Sequence, residues 1–299
     1  CARDWTALPK DDLGAPRNRT FASTNKQLTL MASIHEEEDR ILEELSNNCP
    51  TSIDKDKLVP DGLHYLGKLS YEENGCWERE PGDEEERWED ICDQKRGIVV
   101  LTKDLNDDQV WDIRIDHGRK NNIADPTPSR KGFYENLRRW IYGLMTMSES
   151  GEMPEYPTTE DAQEHFVKEP WVRMNLKKER GQGSVKDHVL HAHIEVTKES
   201  LKEQLKLYRR ASIYIDCAKG EGIELLKQMY PNITSFSSGE KPRISYSEEY
   251  RFIIIESHHP SYPRMKRRTY YDDMKKAVQD VQDFFKEHPN LLKILEKES

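Results

Sequence analysis

The last third of the chain alternates short β-branched runs with amphipathic segments, and this rhythm constrains the fold more than any other feature. The spacing predicts strand over 188–196, helix over 198–210, strand over 212–217 and helix over 221–230. A further strand from Phe252 to Glu256 and a closing helix from Tyr271 to Lys286 complete the run. Strands separated by helices of this length pair in parallel, because a crossover must return the chain to the same end of the sheet. Upstream, 97–103 and 109–116 read as the arms of a β-hairpin, with Asp104-Leu105-Asn106-Asp107-Asp108 as its turn. Its second arm alternates Trp111, Ile113 and Ile115 against Asp112, Arg114 and Asp116. A stripe of Phe133, Leu137, Trp140, Ile141 and Leu144 predicts a helix over 131–147, and Thr159 to Lys168 a shorter one. Ser33 and Glu36 form a capping box that opens a first helix running to Asn47. The expected fold is therefore α+β or mixed α/β: N-terminal helices with a β-hairpin, then a C-terminal βαβαβα region on a partly parallel sheet.

Three regions follow from composition: an extended N-terminal arm (1–32), an acidic α+β region (33–150) and an α/β region (151–299). The net charge of -10 is unevenly spread. Residues 1–100 hold 13 basic and 23 acidic groups, whereas 201–299 hold 18 and 15. A chain so charged does not bind DNA backbone with its whole surface, which leaves the last third as the only candidate. No run approaches the roughly 18 apolar residues that a membrane helix needs. The five cysteines, at 1, 49, 76, 92 and 217, are scattered without a CxxC pair and read as reduced thiols of an intracellular, cytoplasmic or nuclear protein. The sequons at Asn18 and Asn232 are what speaks for secretion instead.

Three constellations could carry chemistry. On a strand over 188–196, His191, His193 and Glu195 would share one face, and imidazoles two apart can reach one Zn, Mn or Mg ion. The same stretch, Leu190 to Glu195, resembles the His-x-His start of amidohydrolase barrels. Such a barrel takes about 250 residues, and only 104 follow Glu195, so that family is not assigned. The second constellation lies at strand ends. Asp216 closes one strand, ahead of a loop carrying Gly220 and Gly222 that could cradle an anion, and Glu256 and His258 follow the end of another. If those strands are parallel neighbours, Asp216 and Glu256 meet at the edge where open α/β sheets bind ligands, with His258 as acid or base. The third is the basic, aromatic stretch holding Arg264, Lys266, Arg267 and Arg268, which suits phosphates and stacked bases.

With neither a Gly-x-Ser-x-Gly elbow nor a Walker loop, the chain reads first as an interaction or regulatory protein that engages a protein partner through its acidic, Trp-containing stretch 72–93. The alternatives are a metal-dependent hydrolase of the phosphoesterase or nuclease class, built on the strand-borne His, Asp and Glu residues, and an RNA-binding module built on 264–271.

Overall fold

The computed structural model describes residues 32–48, 51–71, 77–107, 110–115, 132–148, 150–181, 185–237, 240–262, 265–289, 291, 294 and 295. The chain divides into two units, Cys1–Met31 and Ala32–Ser299, and everything below concerns the second. The arm expected over 1–32 lies, except for Ala32, outside the described residues.

The elements follow one another as α1 (Ile34–Asn48), β1 (Gly62–Leu63), β2 (Leu69–Tyr71), β3 (Trp77–Arg79), α2 (Glu84–Asp93) and β4 (Ile98–Thr102). Then come α3 (Gly132–Met145), α4 (Thr159–Lys168), β5 (Val172–Asn175), α5 (Asp187–Leu207), β6 (Ile213–Asp216) and α6 (Glu221–Met229). β7 (Thr234–Ser235), β8 (Arg243–Ser247), β9 (Phe252–Glu256) and α7 (Arg267–Glu287) close the fold. Apart from the small β2–β3 ribbon, the strands form one sheet in the order β1-β5-β4-β6-β9-β8-β7. β5, β4, β6 and β9 run parallel, and β1, β8 and β7 add antiparallel margins. The fold is thus mixed α/β. β4 comes from before residue 150 yet sits between β5 and β6, so the composition break near 150 is not a break in the sheet.

Period-two alternation sorts the side chains of the parallel strands into two layers. Ile98, Val100, Ile213, Ile215, Ile253 and Ile255 pack under α3 and α7. Val99, Leu101, Tyr214 and Ile254 pack on the other face, with residues of α2, α5 and α6. Both faces are covered, which is why these strands read as continuous apolar runs. No helix among the described residues is long and apolar enough to cross a membrane.

Two expectations are corrected. The hairpin over 97–116 does not form: β4 has β5 on one edge and β6 on the other, so it has no free edge for an antiparallel arm. The residues read as that arm instead include a 3-10 turn, Ile113–Ile115, bonded to the chain near β1 through Ile113 N–H to the Pro60 carbonyl and Tyr65 N–H to the Arg114 carbonyl. The strand over 188–196 is the first half of the 21-residue helix α5. Leu190 and Ile194 satisfy a period of two and a period of 3.6 alike. The helical reading buries them in line with Leu201 and Leu205, and leaves Ala192 and Val196 exposed.

Candidate functional site

The parallel strands all end at one edge, and the strand order reverses direction between β4 and β6, the arrangement that opens a crevice in α/β sheets. Asp216 and Glu256 meet there as direct register partners on the α5–α6 face. Each is already occupied. Asp216 is fully buried and accepts the Ala218 N–H at 2.6 Å and the Ile223 N–H at 3.1 Å. Burial pushes its carboxyl up to about 6, the two N–H donors hold it down, and Glu256 adds a further upward push. Gly220 turns the loop at φ +97°, and a β-carbon on Gly222 would stand 3.0 Å from the Asp216 carboxyl carbon. The glycine loop is therefore wrapped around the protein's own carboxylate. Replacing Asp216 by Ala leaves two buried N–H groups unsatisfied and costs about 2–4 kcal/mol, to be read from urea denaturation; Asp216→Asn, which keeps one acceptor, costs less.

Glu256 is paired with Lys241 at 2.7 Å and with Arg243. Burial opposes its ionisation, but these two cations hold it below the usual carboxylate range. Both Glu256 oxygens that a divalent cation would need are thus taken. His258 lies two residues beyond, stacked on Tyr262 with ring centroids 4.7 Å apart, and burial lowers its pKa.

The metal triad loses its geometry once 188–196 is helical. His191 and Glu195 fall on the exposed face one turn apart, His191 lying 3.4 Å from Glu221 and Glu195 3.5 Å from Lys198. His193 turns inward, where its Nε2 accepts the Lys178 N–H at 3.0 Å. Burial lowers its pKa to about 4, and the charges of Lys177 and Lys178 reinforce the shift. Among the described residues, no three His, Cys, Asp or Glu side chains gather as a metal site.

Of the basic stretch, Arg264 lies outside the described residues and Lys266 caps α7. Arg267 lies 3.5 Å from Glu135, and Arg268 lies 3.6 Å from Asp272, its guanidinium over the Tyr156 ring. The acidic stretch also turns partly inward, with Glu84 bonded to His35 and Trp88 in the core.

A second cluster occupies the α3–α7 face of the same edge, and the sequence reading missed most of it. Arg173 and Asn175 alternate with Val172 and Met174 on β5, so they face α3. Asn175 is fully buried, and its Oδ1 accepts from the Thr102 hydroxyl at 2.5 Å. Its Nδ2 has no hydrogen-bond partner among the described residues. The Arg173 guanidinium lies over the Phe133 ring at 4.7 Å, and that ring stands 5.5 Å from the His259 ring. Burial holds His259 down at about 4, helped by the charges of Arg173 and Lys103. Asp104 follows the end of β4. Burial raises its carboxyl pKa against the pull of Lys177, Lys103 and Arg173. The Gly181 backbone passes so close that a β-carbon there would stand 2.3 Å from an Asp104 oxygen. Lys103, Arg173 and Lys177 thus surround a half-buried acid beside a neutral imidazole, an aromatic ring and an unpaired amide. The available signal was positional: Thr102-Lys103-Asp104 and Asn175 close neighbouring parallel strands, but Asp104 reads as turn chemistry until β4 is known to be central.

No protein-family model matches the chain, and no curated protein matches it.

Proposed function

We propose that this chain is a hydrolase that takes a phosphate-bearing, nucleotide-type ligand where β4, β5 and β9 end on the α3 side. The observation that carries the reading is the Asn175 amide, buried with its Nδ2 unpaired in the layer that holds Arg173 and Phe133. Leaving such a donor unsatisfied costs about 1–3 kcal/mol, and a carbonyl or ring nitrogen of a ligand would satisfy it. Arg173 supplies charge for a phosphate, reinforced by Lys103 and Lys177, which also lie 3.5 Å from Asp187 and Glu179 respectively. The half-buried Phe133 ring, one face under Arg173, offers an apolar surface for a base. Asp104, made more basic by burial, is suited to accept a proton from an attacking water, with His259 neutral at physiological pH beside it.

The reading stays within the hydrolase class suggested by the sequence but rests on different residues. An interaction protein drew its support from an exposed acidic stretch, and that support is weaker with Glu84 and Trp88 turned inward. An intracellular setting fits Cys92 and Cys217 as buried free thiols.

The test is calorimetric titration with nucleoside monophosphates, alongside hydrolysis assays on nucleotides and oligonucleotides. Asn175→Ala is expected to weaken binding about tenfold, the equivalent of one lost hydrogen bond. Asp104→Asn is expected to bind normally and lose about 10²–10⁴ in turnover. Unchanged binding in Asn175→Ala, together with unchanged turnover in Asp104→Asn, would sink the proposal.

A further inference from the structure

A second cleft, of about 610 Å³, opens at the opposite edge of the sheet, where α5 ends and β9 begins. Lys202, Lys206, Arg209, Arg210, Tyr230 and Tyr250 line it, and among the described residues no carboxylate does. Lys202 and Lys206 lie one turn apart on α5, and Arg209 follows two residues beyond its end, so the three form one ridge along the cleft. Two of the four cations are occupied: Lys202 lies 3.2 Å from Glu199, and Arg210 is paired with Glu89 and Asp93. Lys206 and Arg209 are exposed and form no ion pair among the described residues. Cations near a helix C-terminus are favoured by the helix dipole, which accounts for part of the ridge. It does not account for the aromatic wall facing it. There the Tyr230 and Tyr250 rings lie 4.8 Å apart at 57°, and Tyr250 is 37% exposed, one of few large apolar side chains so placed among the described residues. Glu249 stands at the rim, bonded to the Tyr250 hydroxyl.

We propose that this cleft binds single-stranded nucleic acid, the ridge tracking phosphates while a base stacks on Tyr250. Charge alone would also admit an acidic peptide. The exposed tyrosine pair favours nucleic acid, because an aromatic face beside a row of cations matches a chain that alternates phosphates with flat rings. This site is separate from the one near Asn175, and the inference does not rest on it.

The test is fluorescence anisotropy of the full chain with a labelled short oligothymidylate, and in parallel with labelled oligoglutamate. The oligonucleotide is expected to bind, with an affinity that falls with salt at a log–log slope of about -0.7 per phosphate neutralised. The double change Lys206→Glu with Arg209→Glu is expected to weaken it at least about tenfold, and Tyr250→Ala about five- to a hundredfold. All three positions are exposed, and unchanged melting temperatures would show that the variants fold. Oligoglutamate bound as tightly, with the same dependence on Lys206 and Arg209, would overturn the proposal in favour of an acidic-peptide site. Oligonucleotide binding that is absent, or that responds to Asn175→Ala but not to these variants, would overturn it as well.

Discussion

Replacing Lys178 by Met is expected to destabilise the protein by about 3–5 kcal/mol, because it strands a buried carboxylate. Lys178 is 3% exposed, and its Nζ donates to both Asp61 oxygens, at 2.6 and 2.9 Å, and to Gln204 Oε1 at 2.5 Å. Burial alone lowers the lysine pKa, and Asp61 opposes that shift. Asp61 is buried too, and it also accepts the Asn175 N–H at 2.7 Å and the Gln204 amide at 2.8 Å. Removing Asp61 together with Lys178 therefore recovers only part of the loss, since the Asn175 N–H is then left without its acceptor. The chemical midpoint in urea, compared across Lys178→Met, Asp61→Leu and the double variant, measures this directly. A single-variant loss below about 1 kcal/mol, the range of exposed pairs, would show that the network is not dry. The same contacts tie stability to the site, because the N–H that Asp61 holds belongs to the residue with the unpaired amide.

Stability is also expected to fall as the pH rises from about 6.5 to about 9. His35 is buried, and burial by itself would lower its pKa. Its Nδ1 lies 3.0 Å from Glu38 and its Nε2 2.8 Å from Glu84, and these two carboxylates raise it to about 9. A histidine whose folded pKa exceeds the unfolded value contributes fully below 6.5 and loses that contribution as pH climbs through 9. At about 1.4 kcal/mol per pH unit, the loss is on the order of 3 kcal/mol. Urea unfolding at closely spaced pH values should show this slope, and His35→Gln should flatten it.

On the acid side His193 has the opposite sign. Its folded pKa of about 4 means a contribution that is full above 6.5 and lost as pH falls toward 4. Asp216, raised to about 6, counters it over the same range, since its protonated form is the one the fold prefers. His259, also held at about 4, adds to His193, so stability should fall on the acid side as well, with Asp216 offsetting only part of the loss.

The elements legible in the amino-acid order are those whose local pattern admits one reading. Ile213–Asp216 and Phe252–Glu256 are short apolar runs ending in an acid, buried on both faces, and nothing but a central strand suits them. The stripe from Leu137 to Leu144 could only be a helix against a core. The meeting of Asp216 with Glu256 followed from the same pattern, once two parallel strands were taken as neighbours.

Other outcomes needed the whole fold. Residues 188–196 fit two periods equally well, and only the shared burial of Leu190, Ile194, Leu201 and Leu205 selects the helix, separating His193 from His191 and Glu195. β5 hides behind Arg173, a charge that no isolated strand pattern predicts and that Phe133, far along the chain, accommodates. Asp104 and His259, too, are brought around one arginine only by the order in which the strands assemble. Local pattern decides which residues must leave water, because burial of a strand or helix face is set by spacing along the chain. Which polar groups then share the buried space depends on strand order and crossover, and those are chosen by long-range packing.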